Sequence, residues 1–438
     1  MKASTVVSPL PASRLKHLAL AGLLAAASLS AQSTDWPAQS GPNFDYSYQA
    51  PAGVTPAKSL ADIDLIWDST AYFGSGATSR EWTPSGGCAT PIVYQDRVYL
   101  WWMSPDLDVD VFDPASEIRK IPEEFGSYKH LYRLLDNAVS TNNHIVCIDA
   151  NTGETLWERV FPATGINQVG HKETINNHTM AAADGKVFAC GSDQRIHALD
   201  ALTGELLWVA KNISWQSVQE IRVDALDSGK QFKSDRMWNN HLLAVDGVVV
   251  AGDNREWGTL TGFDAQTGAK LWQLSGITYG RTNPDIWKHA GRHYLVVGDN
   301  DGFSLVDPIS GQILWQHTGT GPGGMSSTVQ GDTFFTNLLP GSPTEADNQG
   351  IMGCFQLSLA GPTLLWQAPQ ADGFPQAKNA GVFVHDGKVF LRSNYQIHVY
   401  NLADGSKITA SRPPPRPPRP SRATTTCASA TCPRPTSS

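Results

Sequence analysis

Charge is scarce in this chain of 438 residues: Asp, Glu, Lys and Arg together make up 17%. That is too little for a coiled coil, and with 14 Trp and 39 Gly the composition does not suit a disordered chain. No apolar run reaches the length of a membrane-spanning helix, so no transmembrane anchor is expected. Cysteine is thin: Cys88, Cys147, Cys190, Cys354, Cys427 and Cys432 form no CxxC pair and no zinc spacing. The first four read as small buried hydrophobes, with an occasional disulfide open in an oxidising compartment. No Ser-His-Asp, P-loop or HExxH pattern is present. A basic body is also missing. Eight of the 33 Lys and Arg lie in residues 1–31 and 411–438, leaving 25 against 41 Asp and Glu. An acidic body excludes a nucleic-acid binder, because phosphate needs a basic face.

Both ends read as something other than a folded domain. Residues 1–31 have the make-up of a secretory signal: Arg14 and Lys16, then about a dozen apolar residues from Leu18 to Leu29, then Ser28, Ser30 and Ala31 for cleavage. The other reading is an uncleaved apolar N-terminal helix. The mature chain is expected to be periplasmic or secreted. Residues 412–438 hold eight of the 28 Pro and five Arg, which suits no sheet strand. A disordered Pro/Arg-rich tail is expected there. A linker-like end, a sequence out of its natural frame and a site for an acidic partner all remain open.

What is abundant is repetition. A turn followed by a strand ending in Trp occurs at Asp149–Trp157, Asp200–Trp208, Asp264–Trp272 and Asp307–Trp315, each with Gly at the fifth position. A degenerate copy is Leu359–Trp366, and Asn401–Gly405 is a copy without Trp. Asp accepts backbone N–H groups at such a turn and Gly takes the positive-φ place. A second signal lies upstream of each: two-residue turns at Asp96-Arg97, Asp184-Gly185, Asp246-Gly247, Gly291-Arg292, Gly331-Asp332 and Asp386-Gly387. The two signals alternate, so each repeat holds strand a, tight turn, strand b, crossing loop, strand c, Asp-Gly turn and strand d. No helix-length periodic segment separates the strands, which excludes a βαβ arrangement. The fold class expected is all-β: a β-propeller of four-stranded antiparallel blades. Six blades are read, with six to eight possible. The ring is expected to close with an N-terminal strand, Ile63–Trp67, as the fourth strand of the sixth blade; Ser406–Ser411 is the other choice. The domain reading is 1–31 signal, 32–59 extension, 60–411 propeller and 412–438 tail.

D-x-x-T-G-x-x-x-W resembles the tryptophan-docking repeat of the quinoprotein, or PQQ-like, β-propellers. The resemblance covers about residues 60 to 405, and Asp35-Trp36-Pro37 with Gly41-Pro42-Asn43 is similar to the N-terminal stretch of exported members. It implies that Trp157, Trp208, Trp272, Trp315 and Trp366 dock against neighbouring blades. The family holds both PQQ-dependent dehydrogenases and non-enzymatic outer-membrane assembly factors of the BamB type. Its enzymes keep the quinone beside a vicinal Cys-Cys disulfide and a calcium held by acidic and amide side chains. This chain has no adjacent Cys pair and fewer blades than the usual eight of the enzymes. The expectation is a non-catalytic envelope binding or scaffold protein, monomeric, with an unidentified protein or small-molecule ligand. A PQQ-dependent dehydrogenase, with PQQ and calcium as cofactors, is the alternative.

In a four-stranded meander the a–b and c–d turns share one face of the disc and the b–c and d–a connections share the other. All the tight turns above are a–b or c–d. The long insertions, 104–142, 158–177, 209–240, 273–286 and 338–350, are all b–c or d–a, so elaboration is confined to one face, where ligands are expected. Asn176, Asn177 and His178, and Asn239, Asn240 and His241, open strand a at that face; they suit either polar groups aimed at the axial channel or turn-forming Asn with a structural His. A third Asn-Asn-His triplet is Asn142–His144. Trp215, Trp238, Trp257 and Trp287 lie outside the docking repeat and read as core filling or the floor of a binding surface. Asp106, Asp108, Asp110 and Glu117 fall at positions 1, 3, 5 and 12 of an EF-hand-like loop. Val111 holds the place of its Gly, leaving a calcium site and a solvated acidic loop both open.

Overall fold

The computed structural model describes residues 35–38, 41–42, 64–68, 90–105, 141–165, 180–191, 195–212, 242–253, 259–277, 284–298, 302–319, 327–338, 349–369, 374–375, 381–393 and 396–411. These form a β-propeller of six four-stranded antiparallel sheets, each strand paired with the next in the chain. Strands a to d of blade 1 are Ile92–Tyr94, Arg97–Pro105, Thr141–Asp149 and Thr155–Gly165. Blade 2 has Ala181–Ala183, Lys186–Cys190, Arg195–Asp200 and Leu206–Lys211. Blade 3 has Leu242–Val245, Val248–Asp253, Thr259–Asp264 and Lys270–Leu274. Blade 4 has Asp285–His289, Arg292–Gly298, Gly302–Val306 and Ile313–Thr318. Blade 5 has Thr328–Gln330, Thr333–Leu338, Gln349–Gln356 and Thr363–Gln367, with Phe374–Pro375 added to strand c. Blade 6 has Gly381–His385, Lys388–Ser393, Gln396–Asn401 and Lys407–Ser411. Among the described residues no helix is long and apolar enough to cross a membrane.

The turns follow from their residues. Asp200 Oδ1 accepts the backbone N–H of Leu202 at 3.0 Å and Thr203 at 2.8 Å, and the Thr203 hydroxyl accepts from Glu205 N. Gly204 closes the turn at φ +68°, a left-handed conformation that a side chain resists. Asp149, Asp264 and Asp307 make the same clamp. In every blade the c–d pairing shifts register at the residue after the one opposite the docking tryptophan's place, and blade 1 has a second shift between Thr141 and Asn143. An extra residue there twists the outer strand away from the flat ladder.

The a–b turns hold two left-handed residues where Asp-Gly occurs, as at Asp184 and Gly185. In two blades the turn sits one residue earlier than the sequence suggested. It is Gln95-Asp96, not Asp96-Arg97, and Ala290-Gly291, not Gly291-Arg292. In the first, both turn residues have positive φ, and Arg97 pairs with Tyr94 in the ladder.

The core lies between blades rather than within them. Ile92, Tyr99 and Cys147 of blade 1 meet Ala182, Val187 and Leu199 of blade 2. Phe188 and Ala198 of blade 2 meet Val249 and Phe263 of blade 3. Val250 and Leu260 of blade 3 meet Ile286 and Leu295 of blade 4. One continuous cluster then joins blades 4, 5 and 6. Alternation along each strand sends successive residues to the two neighbours, so strands buried on both faces read as apolar throughout.

The expected closure by Ile63–Trp67 is not what forms. Blade 6 takes its fourth strand from Lys407–Ser411, paired with Gln396–Asn401. Residues 64–68 form no strand, and Leu65 and Ile66 are 82% and 85% exposed. The physical reason is proximity in sequence: Asn401 N donates to Ser406 O and Gly405 N to Asn401 O, so the turn delivers the following residues straight onto strand c. Farther upstream, the N-terminal segment reaches the axis. Trp36 pairs with Val93 through two backbone hydrogen bonds, and Ala182 N donates to Pro37 O at 2.9 Å. Residues 36 and 37 thus cover the inner edges of strand a in blades 1 and 2.

Candidate functional site

The two faces of the disc carry different chemistry. On the turn face, polar groups are consumed by assembly. Trp157 Nε1 donates to Ala201 O, Trp208 Nε1 to Ala265 O and Trp272 Nε1 to Pro308 O. Trp315 Nε1 donates to Ser358 O and Trp366 Nε1 to Leu402 O. Four of the indoles thus reach the equivalent carbonyl of the next blade's c–d turn, and Trp315 reaches the carbonyl one residue farther on. A Cβ on Gly204 would lie 2.6 Å from the Trp157 ring, so close approach as well as φ demands Gly there. Backbone amides of the turns hold the Asp149 and Asp200 carboxylates below the usual range, and the Thr267 hydroxyl contributes most at Asp264.

At the opposite ends of the strands, where b–c and d–a connections leave, polar side chains are buried between elements. Strands b and c of blade 1 run on to Pro105 and Thr141. There His144 stacks on Trp102 at 3.9 Å between ring centroids, and its Nδ1 lies 2.8 Å from Glu158 Oε1. Asn143 beside it is 1% exposed. On blade 2, His197 packs on Phe161 at 4.1 Å, and burial pushes its imidazole down to about 3, so it is neutral.

The seam between blades 4 and 5 holds the other node. Asp285 opens strand a of blade 4, and its Oδ2 accepts a short hydrogen bond from the Ser327 hydroxyl just ahead of strand a of blade 5. Burial pushes the Asp285 carboxyl up to about 7, with the Ser327 hydroxyl pulling the other way. Two residues on, Trp287 is fully buried, and its Nε1 donates to Asp332 Oδ1 at 2.9 Å. That places Trp287 in the interblade core. Sequence reading missed Asp285 and Ser327. The signal available was alternation: Asp285 shares the blade-facing side of its strand with Trp287.

Of the residues singled out in the sequence, the Asn142–His144 triplet falls in strand c of blade 1 at the elaborated face. Asn176, Asn177, His178, Asn239, Asn240, His241, Asp106, Asp108, Asp110 and Glu117 lie outside the described residues. Cys147, Cys190 and Cys354 are buried, and burial pushes the Cys147 and Cys354 thiols up to about 12.

The chain is 32% identical over 142 residues to the dehydrogenase subunit of the quinone alcohol dehydrogenase of Gluconacetobacter polyoxogenes, covering 32% of this chain and 18% of that protein. It is 24% identical over 190 residues to the outer membrane protein assembly factor BamB of Yersinia pestis, covering 43% of this chain and 41% of that protein. It thus spans less than half the length of these curated relatives, one an enzyme and one an assembly factor. Among solved structures, BamB from Moraxella catarrhalis superposes with a TM-score of 0.42 at 14% identity, covering 61% of this chain and 67% of that one. The repeat family described as outer membrane protein assembly factor BamB matches residues 136–235 and 226–411, more than half the chain, and this protein belongs to that PQQ-like repeat family.

Proposed function

We propose that this protein is a non-catalytic binding or scaffold propeller of the cell envelope, taking its ligand or partner on the face that carries the b–c and d–a connections. The observation that carries this reading is the difference between the faces. The c–d turns spend their carbonyls on the tryptophans of neighbouring blades and their Asp carboxylates on their own amides. The long connections all emerge on the other side, where loops are free to vary. The envelope location rests on the signal-like residues 1–31.

No two cysteines are adjacent in the sequence. Among the described residues no three His, Cys, Asp or Glu gather as a metal cluster. Cys147 and Cys354 hold their protons at neutral pH, so neither offers a thiolate. The described residues therefore do not fit the quinone and calcium that the resemblance implies.

A PQQ-dependent dehydrogenase is the second reading. It is favoured by the similarity to the alcohol dehydrogenase subunit. Mixing the protein with PQQ and calcium, desalting and recording a spectrum decides between them. The scaffold reading expects no retained quinone absorbance. Retained absorbance with dye reduction by an alcohol or sugar would overturn it.

A further inference from the structure

Asp285 is a buried acid without a base. Among the described residues the one hydrogen bond to its carboxyl comes from the Ser327 hydroxyl, at Oδ2. Asp285 is 7% exposed, and no basic side chain acts on its charge. Val296 and Leu305 continue its side of blade 4 across strands b and c, and both are buried and apolar. The titratable groups on the facing sides stand apart from it. His289, four residues along strand a, pairs with Asp332 at the turn end of the seam. Tyr294 lies opposite Trp287, and His317 is on the outer strand of blade 4. A carboxyl taken out of water in this way must carry either a proton or a cation.

A second polar group faces the same place. Thr328 pairs with Phe335, so one step farther along that ladder Ser327 stands opposite Thr336. Side chains opposite each other on paired strands are about 4.5–5.5 Å apart at Cβ. Thr336 points toward blade 4, as Phe334 does two residues before it; Phe334 packs on Phe303 of blade 4 at 4.8 Å between ring centroids. Thr336 is 0% exposed, and among the described residues its Oγ1 has no hydrogen-bond partner. A hydroxyl buried without a partner is costly to the fold unless something else meets its oxygen.

We propose that Asp285, Ser327 and Thr336 form a binding site for a monovalent cation, sodium, in the seam between blades 4 and 5. The donors are all oxygen, as a hard cation requires. They bring one negative charge, which one positive charge balances, whereas divalent sites gather several carboxylates. Asp285 supplies the charge. Ser327 keeps its proton on Oδ2 and has a lone pair to offer, and Thr336 Oγ1 has both of its lone pairs unused. Proton and sodium compete for the same carboxyl, the proton winning in acid and sodium in alkali.

The test is thermal unfolding of the full chain at about pH 8.5 in choline chloride, replaced stepwise by sodium chloride at constant ionic strength. Sodium is expected to raise the melting temperature by about 2–4 °C, saturably. At about pH 5.5, where the proton holds the carboxyl, it should have no effect. Asp285→Asn is expected to lose the response, and Thr336→Val to need about tenfold more sodium for half of it. The sodium-23 resonance gives a readout on the unmutated chain: it should broaden with protein at the higher pH and sharpen at the lower. A melting temperature indifferent to sodium, or a sodium line that protein does not broaden, overturns the proposal. A response equally strong in Asp285→Asn or Thr336→Val overturns it as well. A shift produced by calcium and not by sodium overturns it in favour of a divalent ion.

Discussion

The indole of Trp67 hydrogen-bonds the carbonyl of Ala150, 83 residues away, with the same geometry that Trp157 uses on Ala201. The bond ties a segment without sheet partners to the c–d turn of blade 1. Trp67→Ala is expected to lower stability by about 1–2 kcal/mol, since the ring is only half-buried, and Trp208→Ala by about 3 kcal/mol. Chemical denaturation of both variants checks this. A Trp208→Ala melt like that of the parent would remove tryptophan docking as a source of stability.

Deleting the first 71 residues removes Trp67 and the pairing of Trp36 with Val93, yet leaves all six sheets complete. The shortened chain is expected to melt cooperatively at a lower temperature. Deleting residues 407–411 strips blade 6 of its outer strand and is expected to broaden or abolish the transition. If the first deletion aggregated and the second melted normally, the assignment of the sixth blade's outer strand would be reversed.

Asp285 makes stability depend on pH. Its folded carboxyl titrates at about 7 against 3.8 in the unfolded chain. The folded state therefore holds the proton more tightly. The contribution is fully present below pH 3.8 and is lost as pH rises through 7, by an amount of order 4 kcal/mol. Asp285→Asn keeps an acceptor for Ser327 and should flatten thermal stability between pH 5 and 8. A variant that keeps the parent's slope would show that another group is responsible.

His197 acts at the acid end. Burial lowers it to about 3 from 6.5, so the unfolded chain binds the proton first as pH falls. Stability is present above pH 6.5 and is lost on the way down to 3. His197→Gln should shift acid unfolding to lower pH, read by far-ultraviolet circular dichroism; an unmoved midpoint would exclude His197.

Ligand binding should depend on the elaborated face. Alanine at Asn239, Asn240 and His241 is expected to weaken capture of partners from envelope extract. Alanine at Lys186 and Glu205, which flank turns on the other face, should leave capture intact. The opposite pattern would place the binding surface on the turn face.

Much of this architecture was legible in the sequence, because its determinants are local. Asp200 clamps amides two and three residues ahead, and Gly204 supplies a left-handed conformation at once recognisable by its neighbours. Repetition of that signal at blade-length spacing carried strand count and face assignment with it. Alternation between two buried sides was less visible, since both neighbours demand apolar residues.

Interblade relationships were decided only in three dimensions. Whether Trp67 belonged to blade 6 or to the turn of blade 1 depended on which of two edges was nearer, and the tight turn at Asn401–Gly405 gave strand c a closer partner. Asp285 and Ser327 lie 42 residues apart, and neither carries a motif. Their pairing, and the shift of Asp285 toward neutrality, come from desolvation where two blades close over them, a property of the packed seam and not of any stretch of chain.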